Sequence, residues 1–227
     1  MGTLALQSKC TRIPTHVLDN ISEIATHLVE TAAGFYARGW MLGTSGNLSA
    51  VAGRDPLRLA ITPSGADKGA LHSGQIILID ERGRALHAAS GKPSDECPLH
   101  ILIAQARNAG AVFHTHSVWS TILSDLFFPD GGLTIEGYEM LKGLAGVKTH
   151  RHQEWLPILE NSQDMPALAD QVAARLVQFP QAHGFLLRRH GLYTWGNDLS
   201  QAKRQVEILE FLLETVARTR SGFSPNC

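Results

Sequence analysis

The amino-acid sequence predicts an α/β fold in which a mixed, mainly antiparallel sheet is flanked by helices. Three observations carry this expectation. Apolar residues recur at helical spacing in several long stretches, short β-rich runs fill the intervals, and most of those runs are joined by turns too short for a helical crossover. Of the 227 residues, 44% are hydrophobic, which supplies a sizeable core and argues against disorder. No repeat, low-complexity tract or linker divides the chain, so residues 1–227 are expected to form a single domain with a flexible tail at 1–12.

The elements are expected in the following order. Pro14-Thr15 opens a helix, since proline is tolerated in a first turn; Ile21, Ile24, Ala25, Leu28 and Ala32 form its stripe and Gly39 stops it. The small-residue loop 43–47 leads into strands at 48–51 and 57–61, the second running into Thr62-Pro63-Ser64-Gly65. Strands at 75–80 and 85–88 flank the turn at Glu81-Arg82-Gly83-Arg84. Pro93 and Ser94 precede a helix with the stripe Leu99, Leu102, Ile103 and Ala106, and Asn108-Ala109-Gly110 then turns the chain into an apolar run ending His114-Thr115-His116. A short helix at 118–126, a strand at 133–135, a helical turn at 138–142 and one or two strands within 147–159 follow. Helix 167–178 lies between Pro166 and Pro180; strands 184–189 and 192–195 flank His190-Gly191; and helix 200–219 closes the chain with Val206, Leu209, Leu212, Leu213 and Val216 on one face.

The formal net charge of -1 provides no global field for nucleic acid or an anionic membrane, so neither is an expected partner. Any anion must be held by local groups. Three widely spaced cysteines, Cys10, Cys97 and Cys227, make neither a disulfide framework nor a zinc knuckle and fit a reducing compartment. With no signal-like segment and no span-length apolar run, a cytoplasmic location is expected.

Side chains alternate along a strand, so His114 and His116 project from the same face and supply half a metal site, each offering a nitrogen at about 2.0–2.1 Å. His190, ending an apolar strand before a turn glycine, is the candidate third ligand. His150 and His152 form a competing pair, but in a polar, basic stretch that reads as an exposed edge. Residues 43–47 and 62–65 can form anion-binding nests of main-chain N–H groups, or be two ordinary turns. Two carboxylates are candidate acid–base groups, Glu139, in a setting of apolar and small residues, and Glu96, upstream of the histidine strand; either could instead be a helix N-terminal acid, Glu96 above all. Cys97 is by default a small buried residue. Trp119 and Phe127 are candidate lining for an apolar substrate tail or ordinary core.

Four segments in register, Gly-Thr-Ser-Gly-Asn-Leu-Ser at 43–49, Ile-Thr-Pro-Ser-Gly at 61–65, Phe-His-Thr-His-Ser at 113–117 and Arg-Arg-His-Gly at 188–191, resemble the class II aldolase/adducin family. Within it, Glu-Met-Leu-Lys-Gly at 139–143, Cys97, and Arg-Arg-His-Gly-Leu-Tyr-Thr-Trp-Gly at 188–196 are similar to the methylthioribulose-1-phosphate dehydratases of methionine salvage. The resemblance implies a three-layer α/β/α, class II aldolase-like fold. It implies one zinc per subunit on His114, His116 and His190, with Glu139 as proton donor and acceptor. It also implies a phosphorylated ketose substrate whose phosphate faces Thr44, Gly46, Asn47, Thr62, Ser64 and Gly65, a substrate contact at Cys97, and a homotetramer. Pro93-Ser94-Asp95-Glu96 is in turn similar to the aldolase branch, where the final Glu is catalytic; Asp95 replaces a phosphate-contacting Ser there. An aldolase or epimerase on another ketose phosphate, and a non-catalytic adducin-like interaction domain, are therefore the alternatives to a dehydratase.

Overall fold

The computed structural model of the chain describes residues 15–86 and 91–220. Helix α1 (Thr15–Ala37) presents Ile24, Ala25, Leu28 and Ala32 inward as its spacing requires, and Gly39, at φ 77°, follows its end. Strands β1 (Asn47–Arg54), β2 (Leu57–Ile61) and β3 (Ile77–Asp80) form an antiparallel meander. Of the strand expected at 85–88, Ala85 makes a single bridge to Ile79 and residues 87–88 lie outside the described residues. Cys10, Cys227 and the 1–12 tail lie outside them too.

Helix α2 (Cys97–Ala106) buries Cys97, His100, Ile101 and Ala104 besides Leu99 and Ile103, whereas Ala106 is exposed. The expected stripe is thus rotated, because α2 packs against both the sheet and helix α4 (Met165–Gln178). Pro166 sits within the first turn of α4, where its missing N–H costs nothing, and the Asp164 side chain accepts from the Ala167 N–H as the N-cap. Strand β4 (Ala111–Thr115), helix α3 (Val118–Leu126), β5 (Gly132–Glu136), β6 (Gln153–Leu159), β7 (Gly184–Leu187), β8 (Gly191–Gly196) and helix α5 (Leu199–Arg220) complete the fold. The stretch 147–159 holds one strand rather than two.

The strands make one eight-stranded sheet in the order β3-β2-β1-β4-β8-β7-β6-β5. Among the described residues only β6 and β7 pair in parallel, and α4 provides the crossover that such a pair needs. Two layers of helices cover the sheet. On one face, Leu99 and Ile103 of α2 and Leu168 and Val172 of α4 pack on Leu59, Val112, Phe185 and Tyr193. On the other, α1 packs on Leu48, Ala60 and Phe113, while α3 and α5 pack on Leu156, Leu186 and Leu192. The central strands are buried on both faces, which is why their sequences read as continuous apolar runs. Among the described residues no helix is long and apolar enough to cross a membrane.

Direct cross-strand partners share a face, and this positions the polar residues of the sheet. Asn47 of β1 lies opposite His114 of β4, and His114 opposite Tyr193 of β8. The three form a row across adjacent strands on the α2 face. Strand β8 approaches β4 so closely that a Cβ on Gly191 would lie 2.0 Å from the Thr115 carbonyl oxygen. Replacing Gly191 by Ala is expected to cost about 3 kcal/mol in urea denaturation, since a backbone oxygen in a sheet cannot yield; the exposed Val177→Ala change should stay within about 0.5 kcal/mol.

Candidate active site

Three imidazoles converge at the end of this row. His114 Nε2 lies 2.7 Å from His116 Nε2 and 3.3 Å from His190 Nε2. His114 is fully buried and the other two are half-buried. His114 donates its Nδ1–H to the Leu192 carbonyl at 3.0 Å, and His190 Nδ1 faces Asn161 Oδ1 at 3.2 Å. Their Nε2 atoms therefore carry lone pairs, and those lone pairs point at one another. A shared cation resolves this arrangement, and the donor set of three imidazoles, each oriented through its other nitrogen or its strand, fits a divalent metal ion. Burial, then the charge of a protonated His114, pushes His116 down to about 2 and His190 down to about 4, so both rings are neutral at physiological pH, the form that can ligate a metal.

Glu96 enters the same cluster. It occupies the N-cap position of α2 but makes no cap hydrogen bond; its side chain turns inward instead. Oε1 accepts from the Tyr193 hydroxyl at 2.8 Å and lies 3.3 Å from His114 Nε2 and 3.5 Å from His190 Nε2. Oε2 accepts from the Asn47 side-chain amide at 2.6 Å. Burial by itself would raise the pKa of this carboxyl; with no metal on the cluster, a proton on His114 outweighs it through charge and hydrogen bond, and with the Tyr193 hydroxyl and His190 holds the group well below the usual carboxylate range.

The orientation of Glu96 is fixed from behind. His100, fully buried on α2, takes a hydrogen bond from Ser49 Oγ on Nδ1 (2.7 Å) and bonds through Nε2 to Asn47 Oδ1. With its carbonyl so used, Asn47 must turn its amide toward Glu96. Burial pushes His100 down to about 3, so it works as a neutral donor–acceptor relay. Tyr193 stacks on His114 at 3.9 Å and on Phe185 at 5.0 Å between ring centroids.

The two small-residue loops meet beside the histidines. A cleft of about 140 Å³ is lined by Thr44, Ser45, Gly46, Asn47, Pro63, Ser64, Gly65, Lys68, Ser94, Glu96 and His116. Thr44 holds a left-handed φ of 69°, a conformation that costs a branched residue energy and marks a constrained turn. Gly46 is required twice, by its φ of 68° and because a Cβ would lie 2.7 Å from the His114 carbonyl oxygen. Lys68 is almost wholly buried and ties the loops together, donating to the Thr44 carbonyl at 3.0 Å and the Ala66 carbonyl at 2.9 Å. Desolvation pulls it down to about 8, against the opposing charges of Asp67 and Glu96.

The other sequence candidates lie elsewhere. Thr62 is buried and does not line the cleft; its hydroxyl accepts from the Leu48 N–H and clips β2 to β1. Cys97 is buried in the core on the α2 face, its thiol pushed up to about 12 by burial and then by Glu96. Asp95 is exposed and paired with Lys92, outside the lining. Glu139 sits on a 3-10 turn (Glu139–Gly143), exposed, paired with Lys142 at 2.6 Å and 3.7 Å from His150 Nδ1. The pair His150 and His152 is split: His150 is exposed, while His152 joins Glu154 and His183 in a separate cluster. Phe127 is buried in the core under Arg220, and half-buried Trp119 packs against that core under Arg218.

Several residues of the site carry no motif-level signal. His100 becomes visible only through helix packing, and the role of Tyr193, which lies within the 188–196 motif, only through cross-strand register. Lys68 follows the second loop by three residues, a lysine among small residues, and this is its one hint. Glu210 of α5 is fully buried beneath the histidine strand, accepting from Thr115 Oγ1 at 2.5 Å, with Oε2 unpartnered.

A family model described as Class II Aldolase and Adducin N-terminal domain matches residues 26–217. This chain belongs to that family. It is 40% identical over 196 residues to the methylthioribulose-1-phosphate dehydratase of Sorangium cellulosum, covering 86% of this chain and 92% of that protein. Identity to the enzyme of the same name from Pseudomonas aeruginosa is 42% over 197 residues, 86% of this chain and 94% of the relative. Among solved structures, YgbL from Klebsiella pneumoniae superposes with a TM-score of 0.73 at 25% identity, covering 88% of this chain and 91% of its own. The L-fuculose-1-phosphate aldolase of Thermus thermophilus superposes at 0.69 with 21% identity, over 88% and 96%, and shares the fold.

Burial pushes Glu210 up from 4.5 to about 7, so the folded state holds a proton that the unfolded state releases. Its stabilising contribution is complete below about 4.5 and is lost as pH rises through about 7. The stability difference between Glu210→Gln and the unaltered protein should therefore move in favour of Gln as pH rises across that interval. Denaturation curves at a series of pH values check this, and a pH-independent difference contradicts it.

Proposed function

We propose that this chain is a metal-dependent methylthioribulose-1-phosphate dehydratase. In this reading it removes water from 5-methylthioribulose 1-phosphate to give 2,3-diketo-5-methylthiopentyl 1-phosphate in methionine salvage. One observation carries the proposal: a single cleft, lined by Glu96 and by His116 of the three-histidine cluster, brings a half-buried carboxylate and that cluster beside two loops tied by a buried lysine, in a chain about 40% identical to enzymes of that name. The metal is zinc, one per chain, on His114, His116 and His190. When bound it serves as a Lewis acid toward the C2 carbonyl of the ketose phosphate, making the C3 proton removable.

The chain's own residues do the rest. Main-chain N–H groups and the hydroxyls of Thr44 and Ser64, with Gly46, Asn47 and Gly65, receive the phosphate, and Thr62 secures the loops. Lys68 adds positive charge from beneath. Anchoring that end holds C3 and C4 against the carboxylates, so the reacting groups meet without a search. Glu96 and Glu139 are the acid–base groups: the C3–H proton is taken up, the C4 hydroxyl receives a proton and departs as water, and the resulting enol tautomerises to the diketone. Glu139 stands outside the cleft of its own chain, so it acts in the cleft of a neighbouring copy within a homotetramer. The exposed apolar stripe Val118, Ile122 and Leu126 on α3 supports such an assembly. Its compartment is the cytoplasm, a reading that the free thiol of Cys97 supports.

The position of Glu96 favours one second reading, an aldolase that breaks the C3–C4 bond, since the aldolase branch uses a Glu at this place in the chain. Mass analysis after incubation with methylthioribulose 1-phosphate separates the two. Loss of one water is expected, and two carbon fragments would establish the aldolase.

Metal analysis should find one zinc per chain, lost in His114→Ala and in His190→Ala but retained when His150 and His152 are both changed to Ala. Glu96→Gln and Glu139→Gln should each keep the metal and lose at least about 100-fold in kcat. Wild-type turnover in Glu139→Gln would assign the proton transfers to Glu96 alone.

A further inference from the structure

A second cluster of the same size lies apart from the cleft, made of His152, Glu154 and His183. Its bonding is of another kind. In the first cluster, acceptor lone pairs face one another. Here each contact on Glu154 and His183 pairs a donor with an acceptor. Glu154, 1% exposed, accepts on Oε1 from the His183 main-chain N–H at 2.8 Å. On Oε2 it accepts from His183 Nδ1 and from His152 Nε2, each at 2.8 Å. His183 Nε2 lies 2.8 Å from the carbonyl oxygen of Ala145. Both ring nitrogens of His183 thus face acceptors with no donor role of their own, so each must carry a hydrogen. That is an imidazolium, and protons alone complete the cluster.

The group it grips is well placed. Ala145 follows the 3-10 turn that carries Glu139, in the excursion between β5 and β6. Its carbonyl is held by His183, and its N–H donates to Gln205 Oε1 at 3.2 Å, from a glutamine 2% exposed on α5. Gln205 is itself fixed, donating to the Trp195 carbonyl at 2.9 Å. Upstream, Leu141 and Leu144 are buried against α5, and a Cβ at Gly143 would lie 2.5 Å from Ile208 Cδ1. The apolar contacts press the excursion onto α5, and the Ala145 clamp sets its position along the chain.

We propose that His183, charged and oriented by Glu154, is a positioning residue that fixes the Glu139-bearing excursion through the Ala145 carbonyl and releases it on deprotonation. The proposal rests on the reading of Glu139 as an acid–base group, although the clamp itself does not. The groups that face His183 are Glu154 on β6, His152 before it, and Arg107 beyond α2, whose charge opposes the imidazolium; Lys148 and Arg151 line the adjoining surface cleft. Burial alone would depress His183. The hydrogen bond and charge of Glu154, with the Ala145 carbonyl, outweigh burial and Arg107 and hold it above the usual histidine value. A cation held in this way is present at low pH and is lost as pH rises through the raised value. Clamping is therefore complete below that point and fails on the alkaline side.

Hydrogen exchange read by mass spectrometry on the full chain tests this, with amides of residues 139–149 followed from mildly acidic to alkaline pH and corrected for intrinsic exchange. Protection in this segment should fall several-fold in a transition as pH rises through the raised His183 value, with the β4 amides unchanged as an internal reference. Glu154→Gln keeps the shape of the acceptor but removes its charge, and should move the transition at least about one pH unit lower, tenfold in proton affinity. His183→Gln keeps a donor for Ala145 without an ionisable group and should abolish the transition. The alkaline limb of kcat should move with it while KM holds. A pH-independent exchange profile, or a transition that Glu154→Gln leaves in place, overturns the clamp. So does a second bound divalent ion lost in His183→Gln. Exchange that shifts while kcat does not would uphold the clamp and refute the acid–base role of Glu139.

Discussion

The antiparallel register of β1, β4 and β8 is the constraint on which the rest of the site depends. Asn47, His114 and Tyr193 are direct partners on adjacent strands, so their side chains leave the sheet side by side on the α2 face. A slip of one residue in any of the three would send its member of the row to the opposite face, into the apolar layer with α1 and α5. The close approach at Gly191 and the apolar packing on both faces penalise such a slip. Precision at the polar end of the sheet is thus set by hydrophobic packing along its length.

Burying this many titratable groups together is costly, and the structure shows how the cost is contained. His100, His116 and His190 are driven toward neutrality, because burial penalises an imidazolium and the cations repel one another. Glu96 remains an anion only because Tyr193, Asn47 and the imidazoles satisfy both of its oxygens. Lys68, at the far end of the cleft, keeps its donors on two main-chain carbonyls. The electrostatic balance of the cleft is therefore collective. Removing one partner leaves a buried group unsatisfied rather than merely weakening a contact.

Composition alone does not decide what a histidine–carboxylate cluster does. One group of three has lone pairs facing inward from His114, His116 and His190 and suits a cation. The other, around His183, has donors and acceptors in alternation and is complete with protons. The difference arises from what His114, His190 and His183 meet through their second nitrogens and from which atoms face the shared space.

Much of the architecture was legible in the chain. Helical stripes in α1 and α5 and the strand 57–61 were visible because burial on a single face leaves a periodic record. His114 and His116 were legible as a pair because a strand's period of two is local. The sequence by itself also determined the two small-residue loops, whose glycines answer to backbone conformation. What only the tertiary structure decided were the relations between distant segments. These are the row that joins Asn47 to His114 and Tyr193, the inward turn of Glu96, Lys68 beneath the loops, and the separation of Glu139 from the cleft of its own chain. The rotated stripe of α2 belongs with them, since its burial is imposed by α4. Local propensity acts over a few residues, whereas register and packing join positions far apart in the chain, and no periodicity within one segment encodes which neighbour it will meet.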